Sequence, residues 1–414
     1  PEPVEAPLPA QPRHRLRYLL AVGGLVLALL AVLYWQLDRR SAAAQASITA
    51  EVTATQATIL EAAERADGEL FVSFLSGRDP DWARSQEQLV WAGGFLDRSA
   101  FALRLAPTTP VSPTITLAPD LRAAELTWPQ AYVIDVGNGL TETVRLQQTA
   151  VFRQGPDRWL YAPPDDAFWG AEAATGNRYV RVRFPARDAD VVEPLARDLD
   201  AALAELCRTA GEACAGNVFI DLTLSTDPAA LAVYRVPQDL WAGGEAVVLP
   251  TPTLFGRPGD DASYRALSRA YTARVVAAAA ANLAGWQCCR DRLFYGALLD
   301  ALLHRLGLAA WPVSASDYGQ LARRPEQLRA VERLWRADTA TAEERQAVYT
   351  LVDFLVARGD VSIVDMQWRL ARNENETYWE WLSHVTGGAY GTQEDFESDL
   401  LRYAAERGTE VAFD

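Results

Sequence analysis

The chain has 414 residues, half of them hydrophobic and a tenth aromatic, so it can bury two or three cores and is not globally disordered. Its formal charge is -15, with no basic run to offset it, which argues against a nucleic-acid partner. All 39 basic residues are arginine, so Walker A, kinase and Schiff-base lysines are excluded; with only His14, His304 and His384, so is an HExxH zinc helix.

The leader PEPVEAPLPAQP is Pro-rich and reads as part of an extended, disordered cytoplasmic tail over residues 1–17. Residues 18–37, from Tyr18 to Leu37, carry no charge and are long enough at 1.5 Å per residue to span a bilayer of about 30 Å. Tyr18, Tyr34 and Trp35 stand at the ends of this segment like an aromatic belt. Arg13, Arg15 and Arg17 precede it, and Arg39 and Arg40 follow. The count leans towards a cytoplasmic N-terminus and an extracytoplasmic bulk. The expected location is therefore a bacterial cell membrane, crossed once.

Residues 38–66 are helix formers and read as a stalk or as the start of the first domain. A short helix is expected over 80–93, and 106–119, rich in Pro and Thr, reads as an extended connection. The period then changes to two. Gln130 to Val136 is a strand candidate ended by Gly137-Asn138-Gly139, and 141–153 alternates Val144, Leu146, Ala150 and Phe152 against polar residues. After a turn at Gln154-Gly155-Pro156-Asp157, RWLYA closes an antiparallel meander. Helices followed by a meander and WLYAPPDDAFWG resemble the cone-shaped nuclear-transport-factor-two-like fold over about 47–170. That resemblance implies a pocket enzyme or a binding module. The Asp-His pair of its enzymes is absent, since this segment holds no histidine.

A second unit starts near Asn177. YVRVRFP is a strand, 189–209 a helix with Leu195, Leu199, Leu203 and Leu206 on one stripe, and NVFIDLTL the next strand. Shorter strands are expected at 231–236 and 246–249. From 251 the chain turns helical, with helices expected over 261–284, 291–306, 325–335, 342–358, 361–371, 376–386 and 393–406; Gly307 and Gly359 stand as C-cap residues. The fold class expected is α+β. The membrane helix is followed by a helix-plus-meander domain (67–170), an α/β layer (177–250) and a helical subdomain (251–414).

Strand, helix, strand and then a helix bundle resemble the catalytic region of gluzincin metallopeptidases over about 177–406. The family's HExxH helix would be SYRALSRAYTARVVAAAAANLAGW, where Arg269, Tyr271 and Arg274 stand in place of ligands. The later glutamate ligand would fall near Asp300 and His304. The resemblance implies a degenerate copy without metal, cofactor or activity.

Few residues point to chemistry. Cys207 and Cys214 are spaced for a small disulfide, but with Cys288 and Cys289 present, three pairings are open. Asp300 and His304, four apart on a helix, form a polar pair able to orient an imidazole. Asp165-Asp166, Asp260-Asp261 and Glu343-Glu344 are carboxylate pairs that suit a glycosidase cleft or, more simply, helix caps. Of 13 tryptophans, those in YWEWL offer Tyr378, Trp379 and Trp381 as aromatics for a partner, against the alternative of core packing. The function expected is a membrane-anchored extracytoplasmic binding or assembly protein with a protein or peptide partner. The alternatives are an envelope hydrolase acting on glycans or peptides through carboxylates, and the ectodomain of a transmembrane signalling regulator.

Overall fold

A computed structural model of the chain describes residues 13–107, 112–137, 140–214, 218–232, 246–286, 292–335, 337, 339–372 and 376–409. The fold is mixed α and β, led by one long helix. This helix, α1 (Arg13–Glu64), has 52 residues and runs about 78 Å. Its most apolar stretch is long enough to cross a membrane and none of it is buried. Leu25, Leu29, Leu33 and Leu37 are exposed, and so are Leu27, Leu30 and Tyr34 on other faces. An apolar sleeve of this kind packs against nothing among the described residues and suits lipid. Arg39 lies over the Trp35 ring at 5.6 Å, where the apolar run ends.

The expected stalk divides in two. Residues 38–47 are exposed, a neck of about 15 Å. Beyond them Val52, Ile59 and Ala62 are buried, so the rest of α1 is the first helix of the globular part rather than a spacer. That core also takes Phe71 of α2 (Gly68–Ser73) and Trp82 and Val90 of α3 (Pro80–Trp91). Asp79 caps α3, accepting from the amides of Asp81 and Trp82.

These helices pack on a meander. β1 (Leu103–Leu105) and β2 (Thr114–Leu117) both pair with β3 (Ala123–Gly137), which forms a long hairpin with β4 (Leu140–Gln154); β5 (Trp159–Tyr161) closes it. The turn residues Asn138 and Gly139 lie outside the described residues. Two expectations are corrected here. The stretch 106–119 contains strand β2, and β3 begins seven residues before Gln130 and runs through Pro129. Pro129 is tolerated because β2 pairs only as far as Thr127 and β1 begins opposite Tyr132. Ala131 turns its carbonyl to the β1 side, and by the period of two Pro129 faces that same side, in the gap between the two short strands.

After α4 (Asp166–Trp169) comes a second sheet, ordered β6 (Glu172–Gly176), β7 (Val180–Pro185), β8 (Ile220–Ser225), β9 (Ala246–Pro250). β7, β8 and β9 are parallel and β6 is an antiparallel edge. The crossover helix α5 (Ala189–Ala210) buries the expected leucine stripe completely. Residues 231–232 belong to the short α6 (Ala229–Ala232) instead of a strand, and 233–245 lie outside the described residues. The helical part is α8 (Asp261–Ala284), α9 (Arg292–Arg305), α10 (Ala315–Ala322), α11 (Pro325–Arg329), α12 (Ala342–Arg358), α13 (Ile363–Arg372), α14 (Tyr378–Val385) and α15 (Gln393–Thr409), preceded by the one-turn α7 (Pro252–Phe255).

The meander and the second unit are locked together. The two-residue strand β10 (Arg257–Pro258) leaves the second unit and adds to β4, opposite Gln147 and Leu146. Gly256 permits this, because a Cβ there would lie 2.5 Å from Gln148 Nε2. Asp188, fully buried, accepts from the hydroxyls of Thr251 and Thr253 and pairs with Arg257 at 3.1 Å. Arg98, 2% exposed, donates to the carbonyls of Phe255 and Leu254 across the joint. One apolar cluster runs from Leu103, Tyr132 and Leu146 of the meander into α5, α8 and α9.

Candidate functional site

A cavity of about 670 Å3 opens at this joint. Its floor is the face of α8 carrying Ala266, Ala270, Ala273 and Ala277, spaced at helical period. Alanine is what leaves the space, since larger side chains at these positions would fill it. From α9 come Leu293, Gly296, Leu299 and Leu303; the meander contributes the segment from Ser99 to Leu103 and the end of β3 at Ile134 and Asp135. A Cβ added to Gly296 would meet nothing within 4 Å, so this helical glycine faces open space.

Five charged residues, Asp135, Arg269, Arg274, Asp300 and Arg345, and a tyrosine interrupt the apolar wall. Arg269 donates from Nε to the Leu308 carbonyl and from a terminal nitrogen to the Asp135 carbonyl, both at 2.9 Å, tying α8 to both rims. Arg274 is buried with its guanidinium 5.2 Å from the Phe101 ring centre. Tyr349 of α12 donates to Asp300 of α9. Burial pushes the Asp300 carboxyl above the ordinary carboxylate range, and this outweighs the opposing hydrogen bond from Tyr349 and the charge of Arg274. Burial, with the Asp300 charge next, likewise raises the Tyr349 hydroxyl. Arg345 stands exposed at the mouth.

The structure separates the polar pair that the spacing offered. Asp300 faces the cavity and Tyr349, whereas His304, one turn on, is exposed and directs Nδ1 to the Ala309 carbonyl at 3.2 Å. Asp300 therefore does not orient the His304 imidazole. His384 is likewise outside the cavity, with Nδ1 2.6 Å from Glu376. The aromatic candidates are also corrected. Tyr378 and Trp381 are buried, packed with Trp335 at 5.8 and 5.3 Å between ring centres, and only Trp379 is half-buried. Residues three apart share a helical face, and here that face is the inner one.

The acidic pairs are caps. Asp260 and Ser263 form a capping box at α8, Thr341 and Glu344 another at α12, and Asp165 caps α4 while pairing with Arg153. The backbone amide of Phe168, more than the Arg153 charge, holds Asp165 below its usual range. Cys207 and Cys214 are joined as a disulfide, with Cα atoms 5.1 Å apart; Cys288 and Cys289 lie outside the described residues. Tyr271, on the α8 helix, is a core residue whose hydroxyl donates to the Pro250 carbonyl at 2.6 Å.

Ser99 is the one hydroxyl nucleophile type on the meander rim, and its Oγ donates to Asp97, not to a histidine. Among the described residues no three His, Cys, Asp or Glu side chains gather in a group fit to hold a metal ion. Compared with family models, curated proteins and solved structures, the chain finds no match.

Proposed function

We propose that the chain is a membrane-anchored, extracytoplasmic binding protein of a bacterial envelope, without catalytic activity, that holds part of a protein or peptide partner in the cleft between meander and helical units. The cleft carries this reading. Its volume of about 670 Å3 is in the range of ligand sites, its walls are mostly apolar, and it lies at a joint between two units. Its polar groups are the carboxyls of Asp135 and Asp300, the hydroxyls of Ser99, Thr339 and Tyr349, and three arginines, with no histidine or cysteine among them, a set that fixes orientation better than it breaks bonds. On the peptidase-like reading, α8 is the former metal helix, and Arg269 and Arg274 are what stands there now. The exposed apolar sleeve of α1 supports the anchor, and three arginines before it against two after support a cytoplasmic N-terminus.

Crosslinking in native membranes tests this reading, followed by purification through a C-terminal tag and mass spectrometry. A single stoichiometric partner is expected; recovery of the chain alone contradicts it. One observation favours the hydrolase alternative: Asp300 is an acid of raised pKa inside the cleft. Turnover of a peptide or glycan lost on Asp300→Asn would establish that alternative.

A further inference from the structure

We infer that β6 is an interface for a second copy of this chain. The two β6 strands pair antiparallel about a two-fold axis at Ala174, so that two four-stranded sheets become one. The inference stands on this sheet and not on the cleft.

The ladder with β7 uses half of β6. Asn177 donates to the Val180 carbonyl and Ala186 to the Ala171 carbonyl, so the odd-numbered residues of β6 exchange hydrogen bonds with β7. The amides and carbonyls of Glu172, Ala174 and Gly176 therefore point away from β7, to an edge that no strand pairs among the described residues. All three residues are exposed. A copy centred on Ala174 sets Ala174 opposite Ala174 and Glu172 opposite Gly176. Every outward amide and carbonyl of both strands then finds a partner, about six hydrogen bonds. Moving the centre by one residue either way sets one of the three, on each copy, opposite a residue outside the strand.

Charge favours a copy of the chain over other strands. Gly176 stands opposite Arg181 and Ala174 opposite Arg183, on the outer face of the sheet, while Val182 and Phe184 turn to the core. Arg183 is paired with Asp221 at 3.3 Å. Glu172 and Arg181 are exposed, and neither makes an ion pair with the described residues. Within one copy they are four residues apart along the strands, about 13 Å. In the pair, Glu172 of one copy lies beside Gly176 of the other, and Arg181 is the next side chain beyond, about 10 Å away between Cα atoms. Two long side chains span that gap. Gly176 leaves it open, and a Cβ there would lie 3.0 Å from the Val180 carbonyl oxygen. Arg181 rests over the exposed Phe219 ring at 5.9 Å and reaches Glu172 by turning about its stem. Symmetry makes the contact twice. A charge on a strand edge ordinarily repels other strands; here the copy itself supplies the opposite charge.

Sedimentation of the full chain in detergent micelles, across a concentration series, tests this. A monomer–dimer equilibrium is expected. Ala174→Pro removes an amide that points away from β7, so it keeps the β7 ladder and the fold, checked by circular dichroism, and is expected to abolish the dimer. Glu172→Arg and Arg181→Glu are each expected to weaken self-association about tenfold, as two exposed pairs turn to repulsion. The double variant Glu172→Arg/Arg181→Glu is expected to recover the wild-type association. The two single variants, mixed, should bind each other more tightly than either binds itself. A chain that stays monomeric overturns the inference, as does a dimer that survives folded Ala174→Pro, or a mixture of single variants that gains nothing. A monomeric chain that still captures its partner through the cleft leaves the binding reading standing and removes this one.

Discussion

Replacing Arg98 by methionine tests whether the two units fold as one body. Arg98 is 2% exposed and donates to five carbonyls: Phe255 at 3.0 Å, Asp97 at 2.9 Å, Phe95 at 3.3 Å, and Gly94 and Leu254 at 3.4 Å. Methionine keeps much of the apolar stem and removes every donor. A hydrogen bond from a charged group contributes about 1.5–3 kcal/mol, so the two short ones alone stand for about 3–6 kcal/mol. Against this, the variant no longer removes a guanidinium from water, a cost of several kcal/mol for a buried ion. The carbonyls of Asp97, Phe95, Gly94 and Leu254 decide the balance, because nothing in methionine can satisfy them, whereas Phe255 keeps a donor in Gln148 at 3.3 Å; the net loss expected is about 2–4 kcal/mol.

Urea unfolding of the full chain, followed by tryptophan fluorescence and by far-ultraviolet circular dichroism, measures it. The wild type is expected to unfold globally in one transition by both probes, since β10 and a shared core join the units. The variant should unfold earlier, with the two probes separating as the joint fails first. A loss below about 1 kcal/mol with coincident transitions would refute the reasoning.

Three further outcomes are expected. Asp300 has its pKa raised in the folded state, so its contribution to stability falls as pH rises from the unfolded carboxylate value through the folded one; Asp300→Asn should remove that decline and be the more stable protein at pH 7, read by thermal melts across pH. Cutting the short loop closed by Cys207 and Cys214, in the double serine variant, should cost about 2–3 kcal/mol under oxidising conditions and nothing after reduction of the wild type. Trp381→Ala should cost about 3–5 kcal/mol as a buried ring, whereas Trp379→Ala, half-buried, should cost about 1 kcal/mol; equal losses would mean the inner and outer faces of α14 are wrongly assigned.

The long elements were legible because their signals are local. Asp260 before an apolar run marked the start of α8, Gly359 at φ 72° marked the end of α12, and Leu195 to Leu206 marked the inner face of α5. Strands β2 and β6 were not, being four and five residues with half-exposed, weakly apolar faces that gain their order from β3 and β7. β10 hides in a Pro- and Gly-containing stretch and is a strand only because β4 lies beside it. The cleft was the least legible part. Arg269, Arg274 and Asp300 stand out in the sequence, but Tyr349 is 49 residues from Asp300 and nothing local joins them. The alanines of α8 read as helix propensity alone. Their role as an emptied floor appears only once α9 and the Ser99–Phe101 turn stand opposite. The aromatic cluster YWEWL shows the converse: a strong signal that packing against Trp335 and Phe294 turns inward.

The most direct test of the central claim is site-specific photocrosslinking in native membranes, with a photoreactive residue placed either at Leu299 in the cleft or at Trp379 on the outer side of α14. One defined adduct is expected from position 299, lost when Gly296→Phe fills the cleft, and none from position 379. An adduct from position 379 with none from 299, or a 299 adduct that survives Gly296→Phe, would contradict it.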